Sequence, residues 1–166
     1  MSPAKPSRPR PARLSHVDER GQVRMVDVSM KPETEREAVA EATVTMNAAA
    51  IRAIRRHAVK KGDPLQTARL AGILAAKRTA ELIPLCHQLP LSSVDVVLTA
   101  TPRGYVIRAR ARTVGRTGVE MEALVAASVA ALTLYDMLKA VDRAIVITGV
   151  RLIEKRGGRS GHYRRS

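Results

Sequence analysis

The sequence predicts an α/β domain of the α+β type, in which helices cover one face of an antiparallel sheet. Three observations predict this class. Apolar residues alternate over 35–46, two strand-like runs flank a short Gly-containing loop at 93–114, and an Ala-, Leu- and Met-rich run without proline covers 118–142. Because the paired runs indicate neighbouring antiparallel strands, the helices must share a face of the sheet.

The first residues differ in composition from the rest of the chain. Residues 1–13 hold four of the nine prolines and several arginines, which predicts a disordered basic tail. A single domain is predicted over 14–163, with a short tail at 164–166. Within it, Arg24–Val28 is either a short strand or an extended segment that crosses a neighbour.

A strand is predicted at 35–46. One side of it carries an apolar set: Ala38, Ala40, Ala42, Val44 and Met46. The spacing of two is that of a half-buried strand, although the Ala-rich first half is also compatible with a helix. Arg36 falls on the same side and is interpreted as a solvated strand end.

Two helices are predicted to follow the strand. Asn47 is a suitable N-cap for a helix over 48–59, and the Gly and Pro of Lys60–Pro64 end it. Asp63 is the predicted cap of the next helix, over 65–82, with Pro64 as its first residue. We assign its apolar side to Leu70, Ile73, Leu74 and Ala76, opposite Lys77 and Arg78.

The second half of the chain supplies the remaining elements. An apolar loop at 83–91, between two prolines, holds Cys86 and His87, and strands follow at 93–101 and 105–114. A β-branched last strand is predicted at 144–154, and the basic, Gly-rich run at 155–161 is predicted to be flexible. This order is that of a ferredoxin-like βαββαβ sandwich with an extra helix.

The long helix carries an unusual polar stripe. At about 100° per residue, one side of the helix collects Glu122, Ser128, Thr133, Asp136 and Lys139. Asp136 and Lys139 are an i,i+3 pair, which is either a structural ion pair or an acid/base pair whose pKa values are tuned by burial. Thr117 or Gly118 is the predicted cap.

Glu122 and Asp136 lie at opposite ends of that stripe. At ~1.5 Å per residue they are roughly 21 Å apart. A small-molecule site does not span this length, so a site that uses both residues requires a second copy of the chain.

Composition narrows the possible functions. The net charge is +14, of which residues 21–150 supply +6, enough to favour an anionic ligand. The single cysteine excludes an internal disulfide and fits a reducing cytoplasm. No uncharged apolar run long enough to span a membrane is expected, nor a secretory signal. No metal-ligand spacing accompanies Cys86 and His87.

A second hypothesis is a small basic RNA-binding protein, since its pI is ≈ 11.1 and nucleic-acid binders share ferredoxin-like folds. The chain has no Phe or Trp and only three tyrosines. Bases therefore find almost no aromatic side chains on which to stack.

Several short motifs occur together in one order. They are Lys61-Gly62-Asp63, Ala75-Ala76-Lys77-Arg78-Thr79, Leu85-Cys86-His87, Gly118-Val119-Glu120-Met121-Glu122-Ala123, Tyr135-Asp136-Met137 with Lys139-Ala140, and Gly157-Gly158-Arg159-Ser160-Gly161. Each is weak alone, but the set resembles the cyclic pyranopterin monophosphate synthase family (MoaC) from about Leu14 to Tyr163. Gln88 and Arg159 stand where many members have Pro and Lys.

The resemblance implies a lyase of molybdenum cofactor biosynthesis that converts 3′,8-cyclo-7,8-dihydro-GTP to cyclic pyranopterin monophosphate and releases diphosphate. It implies no cofactor or metal, and a homohexamer, a trimer of dimers, with sites at subunit interfaces. Neither a membrane nor a specific nucleic acid is an expected partner. The implied catalytic residues are Lys61, His87, Asp136 and Lys139. The implied substrate contacts are Leu85, Cys86, His87, Met121 and Glu122.

Overall fold

The computed structural model describes residues 21–159 and 161–166. The elements in chain order are β1 (Thr34–Thr45), α1 (Ala48–Arg55), α2 (Pro64–Lys77), α3 (Thr79–Leu82), β2 (Leu91–Thr101), β3 (Gly104–Gly115), α4 (Glu120–Leu138), β4 (Val146–Arg156) and β5 (Tyr163–Arg164). The tail predicted at 1–13 and the predicted domain start at residue 14 lie outside the described residues.

The strands form one antiparallel sheet in the order β2-β3-β1-β4-β5. The four long strands have the order of a ferredoxin-like sheet, and α1, α2 and α3 occupy the connection from β1 to β2. The predicted fold class is therefore confirmed.

Alanine dominates the contact between the sheet and α4. Ala38 pairs with Ala111 and Ala40 with Ala109, so small side chains of β1 and β3 lie side by side. The buried face of α4 is likewise small and fully inaccessible: Ala123, Ala126, Ala127, Ala130 and Ala131. By length and composition α4 would also pass for a membrane span, but its burial against the sheet makes it a core helix.

Helix α2 packs against α4 through its small residues. A Cβ atom on Gly72 would lie 2.8 Å from the carbonyl oxygen of Ala126, so only glycine fits there. Leu70 and Leu74, predicted to be on the buried side, are 58% and 48% exposed. That prediction was wrong because close helix packing selects small side chains for the contact and leaves the leucines on the outer side.

The two predicted N-caps are confirmed. Oδ1 of Asn47 accepts from the backbone N–H of Ala50 at 2.9 Å, and Oδ1 of Asp63 accepts from that of Leu65 at 2.9 Å. Pro64 is the first residue of α2, as predicted. The cap at Asp63 fixes the end of the α1–α2 loop that carries Lys61.

Two helix ends differ from the prediction. α1 ends at Arg55 rather than Val59, and His57 then takes a φ of 51°, which a helix does not accommodate. α2 ends at Lys77, and Arg78 interrupts the predicted continuation with φ −111° and ψ 16°. The short α3 follows, so the chain turns before it reaches the Cys86 loop.

The end of the chain is more regular than predicted. Lys155 and Arg156, assigned to a flexible run, are the last residues of β4. The short β5 adds an unpredicted strand, in which Tyr163 pairs with Lys155. Gly157, with φ of 92°, turns the chain away from the sheet directly after β4.

Cross-strand ion pairs cover the sheet face that the helices leave open. Arg108 of β3 and Arg151 of β4 each lie 2.9 Å from the carboxylate of Glu41 in β1, which is 5% exposed. Burial opposes ionisation of Glu41, but hydrogen bonds from both arginines lower its pKa below the usual value. Tyr105, at the start of β3, is 4% exposed in the core, so its ring gives this face no stacking surface.

Candidate active site

The loop after α3 and the first turn of α4 form the walls of one cavity of about 400 Å³. All five predicted substrate contacts line it: Leu85, Cys86, His87, Met121 and Glu122. A turn in which the N–H of Cys86 donates to the carbonyl of Ile83 shapes the loop. The structure thus brings two sequence motifs, separated by the whole β2–β3 hairpin, to one place.

Glu122 is the buried acid of this cavity. It is 4% exposed, and burial, together with the nearby charge of Glu120, raises its pKa to about 7. Burial of the Cys86 thiol and the charge of Glu122 raise the pKa of that thiol.

The start of α4 differs from the prediction. The N-cap position is Val119, and no side chain makes a capping hydrogen bond there. The predicted caps, Thr117 and Gly118, therefore do not cap the helix.

A segment N-terminal to β1 forms another wall of the cavity. Residues 24–31 contain no strand, and the isolated bridge lies at neighbouring Val23, so the strand interpretation of 24–28 is wrong. Val26, Val28 and Lys31 line the cavity. The carbonyl oxygen of Val26 lies 2.9 Å from Nε2 of His87.

The other predicted catalytic residues meet at the far end of α4. Nζ of Lys61 lies 2.7 Å from Oδ2 of Asp136, and Nζ of Lys139 lies 2.8 Å from Oδ1. Lys61 also donates to the backbone carbonyl of Asp136 at 3.0 Å. The three charges therefore form one hydrogen-bonded cluster across the α1–α2 loop and the last turn of α4.

Burial does not tune this cluster, contrary to one of the two interpretations of the stripe. The side chains of Asp136 and Lys139 are 53% and 52% exposed. Hydrogen bonds from Lys139 and then Lys61 lower the pKa of Asp136 to about 2. The bond to Asp136 in turn raises the pKa of Lys139. In the single chain the pair is an exposed ion pair, and the carboxylate stays ionised.

The polar stripe is therefore two separate clusters. Between Glu122 and Asp136, Ser128 donates to the carbonyl of Leu124 and Thr133 to that of Val129, each at 2.8 Å. Such bonds satisfy hydroxyls within the helix itself. The fourteen-residue separation of the two acids corresponds to roughly 21 Å along α4.

A basic pocket of about 270 Å³ adjoins the His87 cavity. The two share Lys31, Thr117, Gly118 and Glu120. Six cationic residues line the pocket: Lys31, Arg36, Arg116, Lys155, Arg156 and Arg159. These six positive charges outnumber the negative charges of Glu37 and Glu120, which also line the pocket, so the pocket favours an anion.

Sequence reasoning missed most of this pocket. Arg36 is not a solvated strand end, since it is part-buried and its Nε donates to the carbonyl of Gly115 at 3.3 Å. Its neighbours arrive through the β1–β4 pairing, which sets Glu37 opposite Arg156. A Cβ atom on Gly157 would clash with the carbonyl oxygen of Glu35, so glycine lets the end of β4 lie this close to β1. No local sequence pattern predicts the register of β1 with β4.

The described residues, 21–159 and 161–166, contain no group of three His, Cys, Asp or Glu side chains arranged to hold a metal ion. Cys86 and His87 are adjacent and share their cavity with a single buried carboxylate, Glu122. The chemistry that this donor set offers is hydrogen bonding and proton transfer.

Comparison with known proteins gives one consistent result. The MoaC family model matches residues 25–158. A relative from Thermomicrobium roseum is 58% identical over 156 residues, which cover 93% of this chain and 94% of the relative. One from Heliobacterium modesticaldum is 55% identical over 152 residues, covering 90% and 96%.

A third relative, from Cereibacter sphaeroides, is 54% identical over 155 residues, covering 92% of this chain and 98% of the relative. All three relatives carry the same name, cyclic pyranopterin monophosphate synthase. The family match thus spans both clusters of α4 and the basic pocket except for Arg159.

Proposed function

The chain belongs to the MoaC family, and we propose that it is the lyase that converts 3′,8-cyclo-7,8-dihydro-GTP to cyclic pyranopterin monophosphate and diphosphate. The relatives carry the name of this synthase. The reaction is a step of molybdenum cofactor biosynthesis.

One observation carries the proposal in structural terms. A cavity with a buried acid, Glu122, opens beside a pocket lined by six cations, and the two share Lys31 and Gly118. The substrate has the same two parts, a compact polar ring system and a triphosphate. We assign the ring system to the His87 cavity and the phosphates to the basic pocket.

The basic pocket suits the phosphate chemistry. A ribose-derived oxygen attacks the α-phosphorus, a new P–O bond closes the cyclic phosphate, and the bond to the leaving diphosphate breaks. Arginine and lysine side chains stabilise the charge that develops on the departing oxygens. Arg36 and Arg156 are well placed for this because both lie at the end of the sheet that the pocket adjoins.

Two carboxyl groups with separated pKa values suit the ring rearrangement. Glu122, with a pKa of about 7, exchanges a proton readily near neutral pH. Asp136, with a pKa of about 2, stays ionised and orients the ammonium groups of Lys61 and Lys139. Groups whose environments push their pKa values apart divide acid and base roles between them.

We propose further that each site forms between two copies of the chain in a homohexamer, a trimer of dimers. The Glu122 and Asp136 clusters are too far apart on one helix to meet around one substrate. Leu132, which lies between them on α4, is 59% exposed, and Leu70 on α2 is 58% exposed. Exposed leucines of this kind are suited to a subunit contact.

The remaining expectations concern the localisation of the protein, its partners and its cofactors. The single cysteine and the substrate favour a cytoplasmic enzyme without a membrane or nucleic-acid partner. Catalysis by Lys61, His87, Asp136 and Lys139, with substrate contacts from the His87 cavity, needs no added cofactor in this proposal.

A turnover assay tests the proposed function directly. Purified protein receives the cyclic dihydro-GTP, and the product is measured by pterin fluorescence and released diphosphate in parallel. Both signals should rise together in equal amounts. Salt-dependent binding of random RNA without any turnover would instead support the alternative of an RNA-binding protein.

A further inference from the structure

The segment 24–31 contacts the candidate site through its backbone. The carbonyl oxygen of Val26 lies 2.9 Å from Nε2 of His87, a ring that lines the cavity. A second contact fastens the segment from outside the cavity, since Nη1 of Arg116 donates to the carbonyl of Ser29 at 2.8 Å. The segment is thus held on both sides of residue 27.

The contact with Val26 determines the tautomer of His87. A carbonyl oxygen only accepts hydrogen bonds, so Nε2 of the ring must carry the proton. In the neutral ring, Nδ1 is then the acceptor. Among residues 21–159 and 161–166, Nδ1 has no hydrogen-bond partner, which leaves it available to a ligand.

Asp27 shapes the turn that directly follows this carbonyl. Its Oδ1 accepts from the backbone N–H of Ser29 at 2.8 Å, and the N–H of Lys31 donates to the carbonyl of Val28 at 3.0 Å. An aspartate that bonds the backbone two residues ahead stabilises such a turn. The bond to Ser29 also lowers the pKa of Asp27, with smaller contributions from Arg24 and His87.

We propose that Asp27 is a positioning residue, whose side-chain oxygen holds the turn that places the Val26 carbonyl on Nε2 of His87. His87 is thereby kept as the tautomer whose Nδ1 accepts a hydrogen bond or a proton from the substrate. The proposal rests on the proposed function for the role of His87 in turnover, but the tautomer itself is a property of the protein without ligand.

Two substitutions separate the hydrogen bond from the charge. Asp27→Asn keeps an oxygen that accepts from Ser29 and removes the negative charge, whereas Asp27→Ala removes both. Asp95→Ala is the matched control. Asp95 is an exposed acid of the edge strand β2 and pairs with Arg69 of α2. Thermal unfolding of all three variants establishes that they are folded.

The primary measurement is the tautomer of His87 in ligand-free, full-length protein with ¹⁵N-labelled histidine, by two-bond ¹H–¹⁵N correlation at mildly alkaline pH. The chain has four histidines, and the His87→Gln spectrum identifies the signal. The parent, Asp27→Asn and Asp95→Ala should show a proton on Nε2. Asp27→Ala should show a mixture of tautomers. The value of kcat should fall about 10- to 100-fold in Asp27→Ala alone. This decrease is part of the rate factor that general acid–base catalysis supplies.

Two results would overturn the proposal. One is an unchanged His87 tautomer and unchanged kcat in folded Asp27→Ala. The other is equal impairment of Asp27→Asn and Asp27→Ala, which would assign the effect to the charge of Asp27. If the chain does not turn over the substrate at all, the proposed function fails, while the tautomer measurement still decides whether Asp27 positions His87.

Discussion

Nζ of Lys61 lies 2.7 Å from Oδ2 of Asp136, although 75 positions of sequence separate the two residues. The same ammonium group donates to the backbone carbonyl of Asp136. The α1–α2 loop is therefore fastened to the last turn of α4 through one side chain. A substitution at Asp136 changes the charge of this contact and leaves the backbone acceptor in place.

The first prediction concerns that carboxylate. Asp136→Asn keeps the shape of the side chain and should leave folding and assembly intact, because the residue is half exposed. Turnover should fall by about 10²- to 10⁴-fold, the range for loss of acid–base catalysis, because Lys61 and Lys139 lose the carboxylate that orients them. Steady-state kinetics and thermal unfolding check both parts. Asp95→Asn, at a similarly exposed ion pair, is the control. Near-parental turnover in a folded Asp136→Asn variant would contradict the assignment.

The second prediction concerns the shared site. Glu122→Gln and Asp136→Asn should each be inactive alone, and co-expression of the two should restore part of the activity. In a mixed dimer one site carries both lesions and the other carries neither. The assay uses complexes that retain both affinity tags after purification, so that each contains both variants.

Mixing the purified variants without subunit exchange is the control and should restore nothing. Verified hybrids that remain inactive, while both parents fold and assemble, would place the whole site within one chain.

The third prediction concerns pH and Glu122. Burial raises its pKa from 4.5 in the unfolded chain to about 7 in the folded protein. Below the lower value the carboxyl is neutral in both states. As the pH rises from there to about 7, the unfolded chain releases its proton first, so stability falls. Glu122→Gln avoids this loss. Above pH 7 its free energy of unfolding should exceed that of the parent by about 3 kcal/mol.

Denaturant unfolding at several pH values and a fixed protein concentration measures the difference. The two proteins should converge in stability as the pH approaches 4.5, the unfolded-state value. Glu81→Gln, which removes an exposed carboxylate of α3, is the control for loss of one surface charge. A Glu122→Gln variant that is less stable at high pH than the parent would show that Glu122 gains more from its surroundings than burial costs.

The fourth prediction concerns Gly72. Alanine is the better helix former by about 1 kcal/mol. The added Cβ, however, would lie 2.8 Å from the carbonyl oxygen of Ala126 and 3.2 Å from the side chains of Ala130 and Val96. Gly72→Ala should therefore destabilise the protein by about 1–3 kcal/mol, as overpacking does. Gln66→Ala, on the exposed side of α2, is the control. Equal or higher stability of Gly72→Ala would mean that α2 moves away from α4 without cost.

The fifth prediction comes from composition alone. Deletion of residues 1–13 should leave turnover and assembly unchanged, because a Pro- and Arg-rich run whose apolar side chains are Met1 and two alanines has little to bury. Size-exclusion chromatography and the turnover assay measure both. Loss of either would show that this segment takes part in the assembly.

Local patterns in the sequence were enough for most of the fold. The alternation at 38–44 indicates a strand because its residues face one core, and the caps Asn47 and Asp63 act through neighbouring residues. The strand and the caps depend on short stretches of chain, which a sequence displays directly. The five contacts that line the His87 cavity were instead implied by the family resemblance, because two distant motifs form them.

Features that depend on tertiary neighbours were missed or misassigned. Hydrophobicity favoured Leu70 and Leu74 for the buried side of α2, whereas the close approach of α4 selects Gly72 and its small neighbours. The position of Asp136 on an apolar helix suggested burial, but the helix end reaches solvent. The basic pocket depends on the pairing of β1 with β4, whose register contains bulges.

The alanine-lined contact between α4 and the sheet has a consequence for how the chain tolerates substitution. Ala38, Ala40, Ala109 and Ala126 are fully buried where α4 meets the sheet. Replacement by glycine removes one methyl group, whereas replacement by valine or leucine forces the helix away from the strands. Such displacement would also move the two acids that α4 carries at its ends. Random variation at these positions is therefore asymmetric: smaller residues weaken the protein, and larger ones also disturb the relative placement of its two charged clusters.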